Sequence, residues 1–171
     1  ALKESDTCVF TTTRTPEREA LFKWVGPVGS SDWALYGNAE RKLKLGSIED
    51  ARPMIIGTYL GDARDEYFRS RGFKVESVSD DLSNPRKLLL NRIDLWAASV
   101  VRGSMLVAQN DWTGKVVPLL VFHKVDLYMA CHVDLPTALI DRLNAALQTM
   151  VRDGTTKAIE KKYAHWPLPP T

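Results

Sequence analysis

The sequence lacks any apolar run long enough to cross a bilayer. Its longest, Val116 to Phe122, contains Pro118 and falls far short of the roughly twenty residues a spanning helix needs. It also lacks an excess of either charge. The 23 Lys and Arg against 21 Asp and Glu leave +2, too little for the basic footprint that tracks a phosphate backbone, so nucleic acid is not expected as a partner. Histidine is scarce, and His123, His132 and His165 have no carboxylate or cysteine at ligand spacing, so no metal is assigned. The only two cysteines, Cys8 and Cys131, match no metal or redox motif and suit either redox compartment. No G-x-S-x-G, H-E-x-x-H, C-x-x-C, P-loop or G-x-G-x-x-G occurs, and no cofactor is implied. The first residues, Ala1 to Asp6, have neither the basic nor the apolar segment of a signal peptide, which leaves export of a processed chain open.

What is there reads as an ordinary globular chain: 171 residues, 44% hydrophobic and 26% charged, with room for one domain or two small lobes. Short apolar runs alternate with amphipathic stretches, the pattern of α/β layering. Thr7 to Phe10 reads as a strand. Thr15, Pro16 and Glu17 then read as an N-cap, a proline at N1 and an acid suited to the dipole, opening a short helix to about Phe22. Trp24 to Ser31, with Gly26, Pro27 and Gly29, reads as a break. Further strands are expected at Trp33–Tyr36, Met54–Tyr59, Lys74–Val78, Ile93–Ala98, Val116–Phe122 and Val125–Cys131. Helices are expected from Asp62 to about Arg71, closed by Gly72, from Ser83, over Val100–Gln109 despite Gly103, from Pro136 to Gly154, and over Lys157–Tyr163. A single helical turn is expected at Ser47–Ala51, and the prolines after His165 end regular structure.

Two places suit an anion. Arg18 stands at the third position of the helix after Thr15, where unpaired amides already attract negative charge, so a cation there is misplaced unless an anion arrives. Hydroxyls of Thr11, Thr12 and Thr13, on the loop before it, would join the Arg18 fork around a carboxylate. The plainer reading pairs Arg18 with Glu17 or another acid. The second place is Gly61-Asp62-Ala63, where a strand meets a glycine turn and a helix N-terminus; Asp62 also reads simply as an N-cap.

These features in this order resemble the periplasmic solute-binding proteins of bacterial ABC importers, specifically the extracellular family 3 associated with polar amino acids. The resemblance rests on Thr13-Arg14-Thr15-Pro16-Glu17-Arg18 with Phe22-Lys23-Trp24, on Ile56-Gly57-Thr58-Tyr59-Leu60-Gly61, on Asn91-Arg92-Ile93-Asp94-Leu95, on Asp126-Leu127-Tyr128-Met129-Ala130, and on the ending from Pro136 through Tyr163. It implies a type II periplasmic-binding-protein-like α/β fold with mixed sheets in two lobes. Residues 31–128 would form lobe two, with 1–30 and 129–171 as the remnant of a first lobe lacking its opening strand-helix units. It implies a small carboxylate-bearing solute held between the lobes, with Arg18 on the carboxylate and Thr11, Thr12, Thr13, Trp24, Tyr59, Gly61, Asp62, Ala63 and Ser99 as further ligand-binding residues. Ser99 stands where the family carries an aspartate for the ligand ammonium, so the solute lacks that group or binds more weakly. An inner-membrane ABC permease is the implied partner, and the periplasm the implied location. The incomplete lobe would expose an edge and an apolar face, favouring a homodimer or strand exchange. Cys8 and Cys131 fall on strands of that remnant, and their pairing is open.

Two other readings stand beside this one. A sensory or effector-binding domain shares the architecture. A dehydratase-like enzyme would need a cleft acid or base, with Asp62 and Asp81 as candidates. The tryptophans Trp24, Trp33, Trp96, Trp112 and Trp166 read as core or as an interaction surface.

Overall fold

The computed structural model describes residues 1–80 and 82–163. Asp81 and the ending that holds His165, Trp166 and the last prolines lie outside the described residues. The strands are β1 (Cys8–Thr13), β2 (Lys23–Asn38), β3 (Ile55–Tyr59), β4 (Lys74–Val78), β5 (Leu95–Ser99) and β6 (Val116–Cys131). The helices are α1 (Ala63–Ser70), α2 (Ser83–Leu89), α3 (Val100–Gln109), α4 (Thr137–Arg152) and α5 (Thr155–Tyr163). Hydrogen-bonded neighbours follow the order β1-β6-β2-β5-β3-β4. The ladder is mixed, as the alternating pattern predicts: β3 runs parallel to β4 and β5, whereas β1 with β6 and β2 with β5 are antiparallel. The described residues divide into two units, one formed by Ala1–Ser30 with residues 125–163, the other by Ser31–Lys124.

In the first unit, β1 pairs with the second half of β6 in a register that sets Cys8 directly opposite Cys131. A disulfide joins them and settles the question the sequence leaves open. Cys131 packs with Val25, Leu135 and Ile140, and Met129, Leu143 and Leu147 flank that core. The periodic apolar face of α4 supplies Ile140, Leu143 and Leu147 to this core, with Ile140 its one buried residue. Asn144 fastens the helix to β2: its Oδ1 accepts from the Gly26 amide at 3.1 Å and its Nδ2 donates to the Trp24 carbonyl at 3.3 Å.

Three local expectations change here. The break at Trp24–Ser31 is absent, and β2 runs through it. The Gly26 amide is satisfied by Asn144 outside the ladder, and Pro27 needs no donor, so the strand tolerates both. Gly26 sits at φ +145°, and a Cβ there would lie 2.8 Å from the Tyr128 ring, so close packing requires glycine. The helix after Thr15 is a six-residue 3-10 turn, Pro16–Leu21, whose cap residue is extended but makes no side-chain bond. The two strands expected around His123 and Lys124 are one, β6, because polar residues do not interrupt a strand when they face solvent.

In the second unit, β3 is the parallel centre, with α1 and α2 following β3 and β4 in the alternation seen in the sequence. One cluster joins Leu35, Ile56, Phe68, Phe73 and Leu95; another joins Tyr36, Leu88, Ile93, Trp96 and Leu106. The buried Asp65 carboxylate pins α1 to the sheet. Its Oδ1 accepts from Thr58 Oγ1 at 2.6 Å and Ser77 Oγ at 2.5 Å, and its Oδ2 accepts from Arg69 Nε at 3.0 Å. The turn at Ile48–Ala51 carries the full capping box formed by Ser47 and Asp50.

Candidate functional site

In the first unit the candidate residues, Thr11 to Thr13, Arg18 and Trp24, lie near one another in the chain but differ in setting. Thr11, Thr12 and Thr13 lie on β1 itself and not on a loop, because β1 continues to Thr13, with Thr12 opposite Tyr128 and Thr13 opposite Leu127. Thr11 is exposed, and Thr12 and Thr13 are half-buried. The register of β1 with β6 shifts between Phe10 and Thr12, which leaves Thr11 out of the ladder and breaks the strict alternation of side chains there. Arg18 lies in the 3-10 turn and its amide donates to the Thr15 carbonyl at 3.0 Å.

Trp24 is buried and organises its surroundings. Its indole Nε1 donates to the Glu19 carbonyl at 3.2 Å, and its ring meets Phe22 and Tyr128 edge-on at 5.4 and 6.0 Å between centroids. Arg14 completes the group. Its guanidinium donates through Nε and Nη2 to the two Glu19 oxygens at 2.7 and 2.5 Å, while its Cζ stands 5.6 Å from the Trp24 centroid and 5.3 Å from that of Tyr128. The bond to Glu19 raises the Arg14 pKa above its ordinary value, and the same contact lowers that of the Glu19 carboxyl.

In the second unit the candidates collect where chain leaves the carboxyl ends of two parallel strands. Tyr59 ends β3 and Ser99 ends β5, and the register of Ile56 with Leu95 and Gly57 with Trp96 brings both ends to the same margin of the sheet. Open parallel sheets bind ligands at such margins. After β3, Gly61 turns at φ +73°, and Asp62 caps α1 by accepting from the Arg64 amide at 2.8 Å. Ala63, at the first helical position, is buried. After β5, Ser99 caps α3, its hydroxyl accepting from the Arg102 amide at 3.2 Å. Two helix N-termini therefore face this margin, and both serine and aspartate act as caps.

Trp33, opposite Ser99 on β2, anchors an aromatic group with Tyr67, Phe122 and His123 at 5.8, 6.2 and 5.2 Å. The Arg64 guanidinium lies 5.7 Å from the Trp33 centroid and bonds Asp62 Oδ2 at 2.8 Å. Sequence reasoning missed Arg14 and Arg64. Arg64, like Arg18, is a cation in a first helical turn, and its setting is the more anion-friendly of the two, since α1 is a true α-helix and the turn holding Arg18 is not. Arg14 left no such signal, because its partners are an acid five residues on and two rings supplied by β2 and β6. Among the described residues no cluster of His, Cys, Asp or Glu has the makings of a metal site.

No family model and no curated protein matches the sequence. Solved structures do. A histidine kinase sensor domain with similarity to periplasmic binding proteins aligns with TM-score 0.81 at 18% identity, covering 92% of this chain and 68% of its own. An ancestral arginine-binding protein bound to arginine aligns with TM-score 0.72 at 21% identity, covering 88% of this chain and 68% of its own. The GluR0 ligand-binding core from Nostoc punctiforme in complex with L-glutamate aligns with TM-score 0.70 at 20% identity, covering 88% of this chain and 69% of its own. The chain thus spans about two-thirds of the length of the structures it matches. Its fold is of the type II periplasmic-binding-protein-like class, mixed sheet with flanking helices.

Proposed function

We propose that this chain captures a small carboxylate-bearing solute, a polar amino acid first among the candidates, without covalent chemistry. The observation that carries this is the match of the fold over 88% of the chain to structures bound to arginine and to glutamate. In this reading Arg18 clamps the carboxylate, with Thr11, Thr12, Thr13 and Trp24 around it. Tyr59, Gly61, Asp62, Ala63 and Ser99 contribute from the margin of the second unit, where two helix N-termini favour negative charge. Ser99 offers a hydroxyl where a charged partner for an ammonium would stand, which favours a solute whose carboxylate dominates its binding.

The finer reading is import: the chain delivers its solute to an ABC permease from the periplasm. The Cys8–Cys131 disulfide supports an oxidising compartment of that kind. Self-association belongs to the same reading, supported by Val9 and Phe10 of β1, both exposed, Phe10 to 67%. A second reading, ligand sensing within a larger receptor, is favoured by the TM-score of 0.81 to a kinase sensor domain over 92% of the chain.

The test is thermal unfolding against a panel of amino acids and simple carboxylates, with wild type and Arg18→Ala side by side. A compound that raises the wild-type midpoint and leaves Arg18→Ala unmoved supports the clamp. No shift with any compound contradicts solute capture, and equal shifts in both proteins contradict the role of Arg18.

A further inference from the structure

We propose that Glu19, Trp24 and Tyr128 form a guanidinium-binding cage whose resident occupant is Arg14, a tethered side chain that competes with any external guanidinium for the same place. Three recognition elements converge on the Arg14 head group. Glu19 receives it with a two-point fork at 2.7 and 2.5 Å, the planar geometry that a guanidinium satisfies and an ammonium does not. Trp24 and Tyr128 each present a ring within 6 Å of Cζ, so the cation meets two negative aromatic faces. The cage is held in shape without help from Arg14. Trp24 is buried and donates to the backbone carbonyl of Glu19, tying ring and carboxylate-bearing residue together, and its ring packs edge-on against both Phe22 and Tyr128.

The occupant, by contrast, is held loosely enough to exchange. The side chains of Arg14 and Glu19 are 38% and 52% exposed, and an ion pair so open to water is screened and holds its partners weakly. Arg14 also lies outside both flanking elements, between β1 and the 3-10 turn, so its side chain can leave without unpicking a strand or a helix. What keeps an external guanidinium out is proximity: a side chain tethered five residues from its partner acts at an effective concentration in the millimolar range or above. The chemistry names the ligand class as a guanidinium on a slim aliphatic stem. The link to transport, that a solute bearing such a group would open the Arg14–Glu19 pair, rests on the solute-capture reading; the cage itself does not.

The experiment removes the occupant and offers it back in free form. Arg14→Ala, and Arg14→Met as a variant that keeps the apolar stem, are titrated with methylguanidinium to about 20 mM, well into the millimolar range of the tether. Unfolding midpoint and tryptophan fluorescence are followed, with urea and methylammonium as neutral and non-planar controls. The expected result is a saturable rise in midpoint in both variants, with an apparent affinity at least tenfold above wild type. It is absent with either control and lost in Arg14→Ala/Glu19→Gln. Should Arg14→Ala fail to fold, Arg14→Met gives the same reading alone. No saturable response in a folded variant, an equal response in wild type, or a response that survives Glu19→Gln overturns the cage. The Arg18→Ala comparison stands apart from these outcomes, so the cage and the carboxylate clamp fail separately.

Discussion

At the scale of single residues, charges near helix starts carry the most information and need the finest discrimination. Arg18 and Arg64 look alike in sequence, each shortly after a capping residue. The structure separates them: Asp62 caps a full α-helix and holds Arg64, whereas Thr15 makes no cap bond and the turn after it is 3-10. The cap at Asp62 and the glycine turn before it are legible because their causes are local. The Arg14 cage is not legible, because Tyr128 comes from a strand more than a hundred residues away.

Asp65 shows the same limit and yields a prediction. Burial pushes its carboxyl pKa up, but hydrogen bonds from Ser77 and Thr58 and the Arg69 guanidinium outweigh burial, and the net value lies below that of a free aspartate. A depressed folded-state pKa adds stability that is present above the unfolded value, about 4, and is lost as pH falls through the lower folded value. Asp65→Ala, which takes the shared acceptor from the buried Thr58 hydroxyl and the half-buried Ser77 hydroxyl, is expected to cost about 1 to 3 kcal/mol at pH 7 by denaturant unfolding. Asp65→Asn should cost less and make the acid side of the stability profile shallower below about pH 4. Asp94, held low by the Ile55 amide and Arg41 against the same burial effect, keeps part of that slope in place.

At the scale of elements, the second unit follows its sequence closely. Its strands carry branched apolar runs and its helices carry caps and glycine stops, so each element is specified by its own residues. The helix over Val100–Gln109 forms despite Gly103 because that glycine serves packing: a Cβ there would lie 2.6 Å from Cζ of the buried Tyr36 ring. Gly103→Ala should therefore destabilise the protein by about 1 to 3 kcal/mol through overpacking, against a gain of at most about 1 kcal/mol in helix propensity. Gly29→Ala, where a Cβ meets nothing within 4 Å, serves as the neutral comparison in the same melts. The first unit departs more from local expectation. The stretch Gly26-Pro27 looks like a turn, and only Asn144 and Tyr128, from distant parts of the chain, make it strand.

At the scale of the molecule, the alternation of apolar runs is enough to indicate the α/β class, since layering follows from pattern alone. The order of the strands is not written in any single segment. It depends on β2 and β6, whose sixteen-residue lengths cross the polar or glycine-rich stretches that suggest breaks. The disulfide is the one long covalent tie, linking residues 123 apart in sequence. Closing a loop of that size restricts the unfolded chain by roughly 4 to 5 kcal/mol. The Cys8→Ala/Cys131→Ala variant should lose a comparable amount of stability, and wild type with reductant should melt at the lower temperature of the variant; coincident melts with and without reductant would show that the bridge constrains little.

Solute capture as proposed turns on a carboxylate. Its most direct measurement is calorimetric titration of wild-type protein with the strongest compound from the panel, alongside that compound's decarboxylated and deaminated analogues. Removing the carboxylate should abolish the heat of binding, while removing the amino group should cost tenfold or less, since in the proposed site Ser99 offers no charge to lose. Binding that persists without the carboxylate, or that vanishes when only the amino group is removed, contradicts the proposal.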